Sequence, residues 1–128
     1  MAQNLSFNDI IPQDIDTFTL PDGTEIPFKE RVEFTAVEGA FANGLKQRLE
    51  NAVKTLGKDA SNGPAAERLD GVYTDMVNLI LPGMPDEVIE TLLTGQKVEI
   101  ITWWRNRQQD KYGFEGAAKK NGTPQPVN

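Results

Sequence analysis

Val37, Phe41, Leu45, Leu49 and Val53 fall at successive i+4 steps, with Ala40, Ala52 and Leu56 beside them. Residues four apart share a side only on a helix, so this row predicts one long amphipathic helix. An apolar stripe of that length has to be covered by another element. Leu69, Val72, Tyr73, Met76, Val77 and Ile80 supply a second stripe of the same period, opened by Pro64 and stopped by Leu81-Pro82-Gly83-Met84-Pro85. Pro85 opens a third, short helix, with Asp86 and Glu87 in its first turn and Val88, Ile89, Leu92 and Leu93 as its apolar side. Thr94 is the expected N-cap of a fourth, which turns Val98, Ile101 and one tryptophan inward. Gly57 is placed to end the first helix in a left-handed conformation. Gly39 and Gly44 inside it imply a bend or a close helix contact. The expected fold is mainly α, a small bundle of about four helices.

Ahead of the helices, Thr17–Leu20 and Glu25–Phe28 alternate around Pro21-Asp22-Gly23-Thr24. That pattern reads as a β-hairpin, with Pro27 on an open edge because it has no N–H to donate. Two strands alone are marginal in water, so the hairpin has to lean on the bundle. Residues 1–16 show neither period and are expected to form an arm. From 111 to 128 the composition shifts to Gly, Ala, Lys, Asn and Pro, expected as a flexible basic tail. The domain proper is then residues 17–110.

The chain of 128 residues has no Cys and no His. That removes disulfides, thiol and imidazole chemistry, and the common zinc sites. A single domain of this length buries roughly two-thirds of its unfolded surface and needs no metal staple. The net charge of −6 is unevenly spread: −5 over residues 1–28, +1 over 29–66, −5 over 67–99 and +3 over 100–128. A surface of that sign disfavours nucleic acid and anionic membrane. The first residues lack the basic start and apolar run of a signal peptide, and no stretch approaches the ~18 apolar residues of a membrane helix. A soluble protein that stays where it is made is expected.

Catalytic signals are weak. Asp22 and Glu25 are too few oxygens for a calcium loop and read as turn residues. Asp86, Glu87 and Glu90 read as a helix's acidic first turn, with no apolar cleft to split their pKa values. No phosphate-binding glycine loop is present. Neither an enzyme nor a cofactor is expected. The unusual stretch is Trp103-Trp104-Arg105-Asn106-Arg107. Neighbours on a helix lie ~100° apart, so one tryptophan is expected in the core and the other at least partly exposed. Plain helix packing accounts for the pair. An exposed Trp beside Arg also has the composition of a partner hot spot or a base-stacking platform. The acidic helices favour a protein partner over nucleic acid. Phe41 and Met84 add adaptable apolar contacts, so the candidate partner-binding residues are Trp103, Trp104, Arg105, Arg107, Met84 and Phe41.

Taken in order, the Leu-Pro-Asp-Gly-Thr-Glu hairpin, the long helix, a helix ending in Ile80-Leu81-Pro82, the Pro-Asp-Glu-Val-Ile helix and a last helix with Gln96 and Trp103-Trp104 resemble a known family. Over residues 17–108 the chain resembles the tail assembly chaperones of long-tailed bacteriophages with non-contractile tails. The resemblance implies a non-enzymatic protein of the host cytoplasm. Its role would be to bind the long, hydrophobic tape measure protein and keep it soluble until tail tube subunits assemble. Such a protein is absent from the finished tail, and self-association along the client is compatible with the role. Members of that family often have a longer product made by ribosomal frameshifting, and a slippery run of adenines is one way to encode Lys119-Lys120-Asn121. Another phage structural or connector protein, or a small nucleic-acid-binding module, are the alternatives.

Overall fold

The computed structural model describes residues 2–6 and 14–113. Strands β1 (Thr17–Thr19) and β2 (Glu25–Pro27) lead through a 3-10 turn (Arg31–Glu33) into helices α1 (Ala36–Lys58), α2 (Gly63–Ile80), α3 (Asp86–Thr91) and α4 (Thr94–Tyr112). The fold is mainly helical, four helices with an N-terminal antiparallel hairpin.

The hairpin is in the register Thr17↔Pro27, Phe18↔Ile26, Thr19↔Glu25. Its loop is closed by the Gly23 N–H on Leu20 O at 2.9 Å and the Leu20 N–H on Thr24 O at 2.8 Å. Gly23 sits at φ 91°, where a side chain would be strained, so glycine is needed there. Asp22 accepts the Thr24 N–H at 2.9 Å, which holds its carboxyl below the usual range and completes a structural turn.

Each helix starts on a local signal. Thr35 and Glu38 cap α1 reciprocally, at 3.1 and 2.9 Å. Asn62 accepts the Ala65 N–H at 3.0 Å ahead of Gly63-Pro64 in α2. In α4 the cap is one residue earlier than expected. Leu93 takes that position, its N–H satisfied by Gln96 Oε1 at 2.8 Å. Thr94 instead donates its hydroxyl to Asp70 at 2.6 Å. Gly57 is also not a terminator. It lies inside α1, which ends on an extended Asp59 that accepts the Ser61 N–H at 3.0 Å. α4 continues to Tyr112 and closes on Gly113 at φ 73°, past the expected boundary at 110. Of the expected arm, residues 1 and 7–13 lie outside the described residues; of the expected tail, 111–112 belong to α4, and 114–128, with Lys119–Asn121, lie outside them.

The core is built by the hairpin and the part of the domain from Val77 onward. Leu20, Ile26 and Phe28 are buried together with Val77, Ile80, Leu81, Met84, Ile89, Ile100, Ile101 and Trp104. The hairpin therefore leans on α2, α3 and α4. α1 packs on α2, burying Leu45 and Ala52 of its own and Ala65 and Val72 of α2 outside that core. Its i+4 row is only partly covered: Val37, Phe41 and Val53 are exposed. A row of i+4 steps drifts by ~40° per step around the helix, so its ends leave the seam that its middle occupies. Leu93, expected on the apolar side of α3, is 68% exposed at the entry to α4.

A Cβ at Gly39 or Gly44 meets nothing within 4 Å, so neither supports a close helix contact. Alanine at either position should stabilise the protein by ~1 kcal/mol, the helix-propensity difference alone. Chemical denaturation of the single and double variants checks this, and an unchanged midpoint would mean that α1 is bent there.

Candidate functional site

Sequence reasoning grouped six residues, and the fold separates them. Trp104 is 7% exposed: its Nε1 donates to Lys29 O at 2.9 Å, Phe34 stacks on it at 6.0 Å, and the Arg31 guanidinium lies 5.7 Å from the ring centre. Trp103 is 46% exposed and rests on Phe28 with ring centres 5.3 Å apart. Met84 is buried in the core. Phe41 is exposed, with Arg48 5.9 Å from its ring, on the flank of α1. Arg107 is held by Asp16 through two hydrogen bonds of 3.1 Å. Trp103 and Arg105 are ~200° apart on α4 and point into different surroundings. A patch of two tryptophans and two arginines, as base stacking would need, is not assembled.

Two concave surfaces flank α4 instead. The larger, about 860 Å3, runs between α1 and α4 over α2. Half-buried Leu49, Met76 and Leu79 give it an apolar floor over buried Leu45, Ile80 and Ile101, and Gly39 and Ala42 keep the α1 wall low. Lys46 on one rim and Arg105 on the other have no ion-pair partner among the described residues. The smaller surface, about 460 Å3, lies beside β1 and is lined by Phe18, Phe28, Leu92, Ile100, Trp103 and Glu99 among others.

A buried polar cluster at the end of α4 was not foreseen. Glu30, 1% exposed, accepts from Lys111 Nζ at 3.0 Å and from the Tyr112 hydroxyl at 3.1 Å. Lys111 also reaches Asp16 at 3.1 Å and Asp14 O at 2.7 Å. Gln108, equally buried, accepts the Arg31 N–H at 2.8 Å. Burial works to raise the Asp16 pKa, and the hydrogen bonds from Arg107 and Lys111 overcome it, leaving the group below the usual carboxylate range. Burial likewise opposes the charge on Lys111, but Glu30 and Asp16 raise its pKa. For Tyr112 burial and the Glu30 hydrogen bond act together, upward. At the other end of α4, buried Lys97 donates to both Asp70 oxygens at 3.0 Å and to Thr74 at 2.9 Å. One signal could have found both clusters. The row 97-101-104-108-111 alternates steps of four and three, as a buried seam does, and three of its five members are polar.

These cations and carboxylates pair with one another, which is structural chemistry, although Glu30 Oε2 and Gln108 Nε2 are buried without a hydrogen-bond partner. Among the described residues no group of three or more acidic side chains could hold a metal ion. No described helix is long and apolar enough to cross a membrane. Compared with known proteins, the chain matches no family model, no curated protein and no solved structure.

Proposed function

We propose that this chain is a tail assembly chaperone of a long-tailed, non-contractile bacteriophage, which binds the tape measure protein in the host cytoplasm and keeps it soluble while the tail is built. The groove between α1 and α4 carries the reading. An amphipathic helix lays its apolar side into such a groove, and the volume of about 860 Å3 suits a row of large side chains. Met76 on its floor adapts to varied apolar partners. The net charge of −6 keeps a complex with an apolar client dispersed. The order of elements, from the hairpin to the Trp-bearing last helix, is the order on which the family resemblance rests.

Co-expression with the tape measure protein of the same phage tests this. That protein should be soluble with this chain and aggregate without it, and the chain should be missing from purified particles. Ala42→Asp, which sets a charge in the apolar groove, should cut the soluble yield at least tenfold with the fold intact by circular dichroism. A client that aggregates regardless would end the chaperone reading. A client held equally well by the variant would move the binding site away from the groove.

A further inference from the structure

We propose that the outer edge of β1, together with the pocket under Trp103, binds an extended peptide whose apolar residue is flanked by Lys or Arg. This surface is separate from the α1–α4 groove and does not depend on it.

The two edges of the hairpin differ. On β2 the outer edge is interrupted, because Pro27 has no N–H and the Lys29 N–H is taken by Ile80 O at 2.7 Å. On β1 the inward groups belong to the even-numbered residues: Asp16 O accepts the Phe28 N–H at 2.9 Å, Phe18 pairs with Ile26, and the Leu20 N–H goes to Thr24 O. Backbone direction alternates along a strand, so Thr17 and Thr19 turn their N–H and C=O groups outward. Neither has a hydrogen-bond partner on that side among the described residues. Proteins usually blunt such an edge with Lys, Pro or a bulge. Residues 14–19 contain none of these.

Strand addition takes affinity from main-chain hydrogen bonds and specificity from a pocket for alternate side chains. The second component lies alongside. Thr17, Phe18 and Thr19 form one wall of the pocket of about 460 Å3, and Trp103 and Ile100 form the facing wall. Trp103 is an exposed aromatic already resting on Phe28. A leucine-sized side chain entering there would cover it.

Charge selects the occupant. Residues 14–28 hold no base; Asp16 is taken by Arg107 and Lys111, which leaves Asp14, Asp22 and Glu25, and Glu99 stands in the pocket wall. Glu25 and Glu99 have no ion-pair partner among the described residues. A second copy of the same edge would bring acid against acid, whereas a basic strand meets complementary charge.

The probe is acetyl-Lys-Thr-Leu-Lys-Val-amide, titrated into the full chain and followed by the backbone amide signals of Thr17 and Thr19. Both should shift, and Glu in place of each Lys should weaken binding at least tenfold. N-methylation of alternate peptide residues should abolish binding in one phase and leave it unchanged in the other, since only one phase faces β1. Trp103→Ala, and Thr19→Pro, which deletes one outward N–H, should each weaken binding at least fivefold. If Thr19→Pro does not fold, Trp103→Ala and the methylated pair decide alone. Equal binding of the acidic peptide, indifference to methylation in both phases, or an unaffected Trp103→Ala would overturn the proposal. So would a wild-type dimer that the Thr19→Pro variant renders monomeric, because the occupant would then be a second copy.

Discussion

Trp104→Ala should lower the unfolding free energy by about 3–5 kcal/mol, the range for emptying a large aromatic site in a packed core. The side chain is 7% exposed, and its loss strips cover from Phe34 while leaving Lys29 O without its indole donor. Small domains hold only ~5–15 kcal/mol in total, so the variant should be partly unfolded at 37 °C. Trp103→Ala is the matched comparison on the adjacent residue. With 46% of its surface already in water and one aromatic neighbour, it should lose only ~1 kcal/mol. Urea titrations of the two variants, with slopes equal to the parent's, give the comparison directly. Equal midpoints would contradict the assignment of core and surface.

Lys111→Met should be the next most damaging change, at about 2–3 kcal/mol, because it removes the cation from a largely buried ion pair while keeping the aliphatic stem. Glu30 would keep only the Tyr112 hydroxyl, and its Oε2 has no partner to begin with. Adding Glu30→Gln to Lys111→Met should recover part of the loss, since the stranded charge is then gone. The pH profile separates this cluster from simple packing. Asp16 has a lowered folded pKa, so its contribution is full above its unfolded value of ~3.9 and disappears as the pH falls through the folded one. Lys111 and Tyr112 have raised folded pKa values. Their contributions are full below about 10 and are lost as the pH rises further. The parent should therefore lose stability towards both extremes, and Lys111→Met should show shallower limbs at each end. A profile parallel to the parent's at all pH values would mean that Lys111 acts through its stem alone.

The helices and the hairpin were legible because each has its own local cause: a period, a cap, a turn glycine or a proline stop. Where sequence and structure part, geometry is the reason. The row from Val37 to Val53 looks uniform when written out, yet its drift around α1 leaves both ends in solvent. Leu93 belongs to the apolar run of α3 by order but faces outward as the junction to α4. The Trp-Trp-Arg-Asn-Arg stretch reads as one patch along the chain, and the helix sends its members to the core, to the β1 pocket, to the groove and to Asp16. Glu30 carried no local mark, because both of its partners come from residues more than eighty positions later. The edge of β1 was invisible for a similar reason. Pairing alternation alone does not say which flank a neighbouring helix will line.

The polar cluster also bears on how the protein is made. Asp16 and Glu30 leave the ribosome early, and the lysine, arginine and tyrosine that pair with them arrive with the last described helix turns. Trp104, which fills the core, comes late as well. A nascent chain therefore cannot finish this domain in stages: its opening acids wait, charged and unpaired, for almost the whole of translation. Completion comes at Tyr112. A different ending read after Gly113, such as one from a shifted frame, would extend the chain without altering any described contact that closes the fold.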